Sequence, residues 1–117
     1  MDEHDLFITK SAGKPWQPTR RAGVREKMLL PIERSPHQNV VLVEMHPSAE
    51  IELHQVRCSE SIFVIEGRYE VVTHKTTETL GPGDLCHFPA DSFHGLRCVQ
   101  GPCRFLVVFA PALDRAK

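Results

Sequence analysis

Residues 48–67 read SAEIELHQVRCSESIFVIEG. Within this stretch His54 and Glu60 stand between two apolar segments, 51–56 and 61–67. Side chains alternate across a strand, so Glu52, His54 and Val56 are expected on one face. Along one straight strand, the distance from His54 to Glu60 is about 20 Å, too far for a shared ligand. The chain must therefore turn near Arg57-Cys58-Ser59. His54 then comes from one strand and Glu60 from the start of the next.

The pattern repeats outward from this stretch. Short runs rich in Val, Ile, Phe and Leu occupy 40–45, 61–67, 69–74, 84–89, 93–99 and 104–110, with weaker candidates at 6–10 and 25–32. Such residues suit pleated strands. The 9 prolines and 7 glycines separate the runs, and no long window has helical periodicity. Gly67 in EGRY (66–69) reads as a turn between two strands, and GPGD (81–84) as a tight turn. Many short strands joined by turns predict an all-β sandwich or barrel. The core barrel is expected over about 40–110, with an N-terminal arm or edge strands over about 1–35. Phe63, Phe88, Phe93, Phe105 and Phe109 read as core.

With 117 residues the chain fits one domain. Its hydrophobic content is 41% and its formal net charge -1, which gives no electrostatic reason to expect nucleic acid or an anionic membrane as partner. The basic run RRAGVREK (20–27) reads as solvated surface. The first ten residues are acidic and lack the apolar core of a signal peptide, and no run is long enough for a membrane helix. A cytoplasmic protein is the expectation. The 4 cysteines form no C-x-x-C pair, which argues against a structural zinc knuckle. Cys98 and Cys103 flank VQGP, read as a hairpin turn that sets them face to face.

A third polar group is needed beside His54 and Glu60. His94, after the turn segment PADSFH (89–94), is the natural candidate. With it the sequence resembles the two motifs of the cupin superfamily. The first is written G-x5-H-x-H-x3-4-E-x6-G. Here Ser48 stands for the first glycine, His54 is the first histidine, Val56 replaces the second, and Glu60 and Gly67 complete it. The second is G-x5-P-x-G-x2-H-x3-N. Gly83 and Pro89 match, Asp91 replaces the inner glycine, His94 is the histidine and Cys98 replaces the asparagine.

The resemblance implies a double-stranded β-helix, or jelly-roll, barrel, commonly a homodimer, with a site in its mouth. It implies His54, Glu60 and His94 as ligands of a divalent metal such as iron, zinc, manganese or nickel. Two imidazoles and a carboxylate are the ligand types of non-haem Fe(II) oxygenases, so a dioxygenase-like enzyme acting on a small organic molecule is one expectation. Val56 supports the other, a metal-free cupin that binds or senses a sugar or organic acid through His54, Glu60, His94 and Arg57. Further pocket candidates are Cys58, Cys98 and His87. A Cys58 thiolate would replace the missing imidazole, but a small apolar loop residue is the favoured reading, as a core cysteine is for Cys98.

Overall fold

The structure, a computed structural model, describes residues 5–114. After a 3-10 turn at Ser11–Gly13 the chain is built from strands alone: β1 (Gln17–Pro18), β2 (Val24–Leu30), β3 (Asn39–Met45), β4 (Glu50–Gln55), β5 (Ser59–Val72), β6 (Thr77–Leu80), β7 (Leu85–Phe88) and β8 (Phe93–Ala110). All pairings are antiparallel. The expected all-β jelly-roll barrel is the fold that forms.

Two long strands organise it. β5 and β8 pair from Ser59↔Ala110 to Val72↔Gly95. The first half of β5 also pairs with β7, and the second half of β8 with β3, which continues to β2 and β1. The second half of β5 pairs with β6, and the first half of β8 with β4. One hydrogen-bonded sheet thus folds over itself into two facing layers. Between them lie Val41, Val43, Met45, Ile62, Val64, Tyr69, Val71, Phe88, Leu96, Phe105 and Val107, all buried. Burying each large aliphatic or aromatic side chain contributes about 1.5–3 kcal/mol.

The corners differ from the expected turns. Gly67 does not end a strand; it lies inside β5, where the register to β8 shifts between Val64 and Tyr69. Its φ is 85°. A Cβ there would lie 2.5 Å from the Pro102 carbonyl oxygen and 2.8 Å from the Cys103 Cα. Only glycine lets the two long strands approach this closely. VQGP is likewise no hairpin, for β8 runs through it. Cys98 and Cys103 sit on one strand, and the irregularity between them turns both inward, with their sulfurs 2.9 Å apart.

In the N-terminal segment β1 and β2 form the end of the sheet, but one strand candidate fails. The 6–10 run forms no strand; Thr9 Oγ1 donates instead to the Leu29 carbonyl at 2.7 Å. The first four residues of the expected arm lie outside the described residues. β1 and β6 were too short to read from apolar patterning. The basic run is not simply solvated. Lys27 is buried, donates to the Ser11 carbonyl at 2.8 Å and lies over the Trp16 ring. Arg25 and Arg104 grip the buried Glu44 carboxylate at 2.7 Å each and also approach Trp16. Burial alone would raise the Glu44 pKa, but the hydrogen bonds from Arg104 and Arg25 outweigh it and hold the carboxyl below its ordinary value. Phe88 and Phe105 are core as expected, and Phe109 packs against it. Phe63 and Phe93 are instead 46% and 44% exposed, because their strand positions face outward.

Candidate metal centre

His54 on β4 and His94 on β8 are direct register partners. Glu60 enters from the adjoining start of β5, opposite Phe88 and Phe109. These three offer one ligand atom each, all within 4.8 Å of one another. The turn expected at residues 57–59 is what brings Glu60 back to His54. His94 and Glu60 are buried, and His94 Nε2 lies 3.0 Å from Glu60 Oε1. Phe88 stacks on the His94 ring at 3.8 Å with 6° between the planes. The buried His94 Nδ1 has no hydrogen-bond partner among the described residues.

The aim of His54 depends on a bulge. Between Ile51↔Leu96 and His54↔His94 two residues of β4 face the single residue Gly95 of β8. The extra residue resets the alternation, so Ile51 and His54 both face the interior. Glu52, expected beside His54, points out and is held by Arg21, with Nη2–Oε1 at 2.8 Å and Nε–Oε2 at 3.1 Å. The hydrogen bond from Arg21 is the largest cause of the Glu52 pKa falling to about 2. The His54 ring is oriented by Nδ1, 2.9 Å from the Glu52 carbonyl oxygen. A carbonyl can only accept, so Nδ1 carries the proton and the lone pair of a neutral ring sits on Nε2.

His54 and Glu60 open on a cavity of about 430 Å³ inside the barrel, with His94 packed behind them. Val24, Val41, Val43, Leu96, Phe105 and Val107 form its apolar wall. Glu26 of β2 also lines it, a carboxylate missed in the sequence because the basic run disguised the alternation of Val24 and Glu26. Thr19, Arg20 and Arg21 of the β1–β2 connection stand at the same cavity.

The other pocket candidates do not line it. Arg57 is exposed, and Val56 is half-buried, its carbonyl accepting from the Asp91 N–H at 2.7 Å. His87 faces out from β7 toward Ser61 Oγ at 2.8 Å, because its parity on that strand is opposite to that of Phe88. Cys58 is buried outside the ligand cluster, and burial raises its pKa, which disfavours the thiolate a metal needs. Cys98 belongs to the core.

Two departures from the family motifs carry a backbone signature. Ser48 and Asp91 replace motif glycines, and they alone among described non-glycine residues have positive φ, 71° and 67°. The backbone keeps the left-handed conformation that the motif glycine accommodates, although these side chains tolerate it less well.

Comparison with known proteins agrees with the fold. The profile of the cupin domain family matches residues 41–109. The structure of KdgF from a Halomonas species is similar, with a TM-score of 0.83 and 23% identity, covering 97% of this chain and 99% of that one. An RmlC-like cupin from Shewanella frigidimarina gives 0.84 and 20%, covering 99% and 100%. The polyketide cyclase RemF from Streptomyces resistomycificus gives 0.81 and 22%, covering 91% and 80%. No curated protein matches the sequence. No helix among the described residues is long and apolar enough to cross a membrane.

Proposed function

This chain belongs to the cupin family, and on that premise we propose that it is a divalent-metal-dependent enzyme acting on a small organic molecule inside the barrel. The observation that carries the reading is the convergence of His54, Glu60 and His94, three ligand atoms within 4.8 Å. The donor set fits a divalent ion: two imidazoles and a carboxylate suit iron, zinc, manganese or nickel and leave coordination positions open. Bound there, the metal supplies Lewis acidity toward a substrate oxygen and, as iron, access to oxygenase-type chemistry.

The chain's own residues do the rest. The Glu52 carbonyl fixes the His54 ring with Nε2 available. Phe88 holds the plane of His94. Glu60 acts as a ligand rather than a free base. Glu26 also lines the cavity and stands outside the ligand set; on this reading it takes or returns the proton. The Val and Leu wall excludes water from the bound molecule.

A second reading has its own support. Glu60 Oε1 and His94 Nε2 lie within hydrogen-bond distance of each other at 3.0 Å, and Val56 withholds a fourth ligand. On that reading the barrel is a metal-free module for a sugar or organic acid. Elemental analysis of untagged protein divides the two. The enzyme reading expects about one divalent ion per chain, lost in Glu60→Gln and His94→Ala; protein that stays empty after iron, zinc and manganese are offered refutes it. We further propose a cytoplasmic homodimer. An outward apolar row, Leu42, Leu106, Phe63 and Leu85, continues across β3, β8, β5 and β7 and supports the dimer. Light scattering on the purified chain tests it.

A further inference from the structure

The cavity mouth carries a feature the metal site does not use. The β1–β2 connection is a tight loop: the Thr19 N–H donates to the Val24 carbonyl at 3.2 Å, Thr19 Oγ1 to the same oxygen at 2.8 Å, and the Arg21 N–H to Thr19 Oγ1 at 3.1 Å. Gly23, with φ 77°, lets the loop turn, and its carbonyl accepts from the His46 N–H at 2.8 Å. The loop thereby holds two consecutive arginines at the cavity.

Their roles divide. Arg21 spends both arms of its guanidinium on Glu52, at the bulge that aims His54. That pair ties the loop to β4 and matches the Arg21 charge. Arg20 acts on Glu52 through space, and the ion pairs of Glu44, Glu52, Glu66 and Glu70 are made by other arginines. Its planar guanidinium suits bidentate recognition of a carboxylate.

We infer that the cavity takes a small organic anion, its charged end received at the mouth by Arg20 and its apolar body lying against Val24, Val41, Leu96 and Phe105. This rests on the metal reading in one respect. Two guanidiniums, Arg20 and Arg21, stand near three carboxylates, Glu26, Glu52 and Glu60. A bound divalent ion turns that local balance from negative to positive, so metal and anion favour each other. The cavity volume of about 430 Å³ accommodates a molecule of one-ring size.

The test is calorimetric titration of the full chain, zinc-loaded and metal-free, with benzoate and its neutral isostere benzamide. The zinc-loaded chain is expected to bind benzoate about tenfold more tightly than benzamide. Arg20→Gln should reduce that preference to about threefold or less with zinc content unchanged, and Arg20→Lys should retain part of it. Zinc uptake with both probes bound alike, or a preference undiminished in Arg20→Gln, overturns the anion assignment alone. Failure to take up zinc with an Arg20-dependent benzoate preference overturns the metal reading and supports the anion site.

Discussion

Replacing Gly95 by alanine tests how the site is aimed. Gly95 faces the β4 bulge, and a methyl group there would lie 2.9 Å from the Ile51 carbonyl oxygen, 3.0 Å from the Leu53 nitrogen and 3.2 Å from the Glu52 carbonyl carbon. All three are backbone atoms, so no side chain can swing aside. Ordinary carbon–oxygen contact begins near about 3.3–3.6 Å, so β4 must retreat by roughly half an ångström. Overpacking of this kind costs about 1–3 kcal/mol. For a chain of 117 residues each kcal/mol moves the midpoint by about 4 °C, so thermal unfolding followed by circular dichroism should show a loss of about 4–12 °C. The retreat also carries His54 away from His94 and Glu60, and functional constellations tolerate only about 0.5 Å. Zinc affinity, measured by competition with a chromophoric chelator, should fall about tenfold or more. A Gly95→Ala protein with unchanged midpoint and unchanged zinc affinity would refute the claim that the bulge, pressed on Gly95, positions His54.

Three further outcomes are expected. Glu44→Gln should lower stability by about 1–2 kcal/mol, since two guanidiniums lose their shared carboxylate. Because the folded Glu44 pKa lies below the ordinary 4.5, its contribution is full above that pH and is lost as pH falls through the folded value. Urea titrations at descending pH should therefore show a shallower acid decline in the variant, and parallel declines would contradict the assignment. Ser48→Gly should raise the midpoint by about 2–4 °C by removing the strain of a φ of 71°, and Asp91→Gly by less, because aspartate tolerates that conformation better; a lowered midpoint for Ser48→Gly would count against strain at that residue. Burial raises the pKa of Cys58 and lifts Cys86 to about 11 and Cys103 to about 12. Native protein at pH 8 should therefore react slowly with a thiol reagent at these positions and fully once unfolded, whereas rapid native labelling of Cys103 would show the corner to be open.

The convergence of His54, Glu60 and His94 was legible because few residue types stand at that spacing in such strands. His54, Glu60 and His94 sit within otherwise apolar strands, where a polar group demands a reason. The less legible parts are those where local and tertiary signals conflict. Gly67 and the glycine-proline pair at 101–102 carry turn chemistry, yet they lie inside β5 and β8, at the irregularity where the register of the two long strands shifts. Glu52 was placed beside His54 by alternation that holds only while no residue is inserted. Arg57 was the nearest arginine in sequence, but Arg20 and Arg21 are the arginines at the cavity.

The sequence by itself determined most of the strand content and, through the resemblance of its two motifs, the family and the three polar side chains that converge, since strand patterning is local and the motifs are short. The tertiary structure alone decided which way His54 faces, which arginines guard the mouth and that Glu26 shares the cavity. Those facts depend on backbone contacts between segments far apart in the chain: Gly95 against the β4 bulge, and Arg21 against Glu52. A contact across that separation leaves no periodic trace in either segment, so only the folded chain displays it.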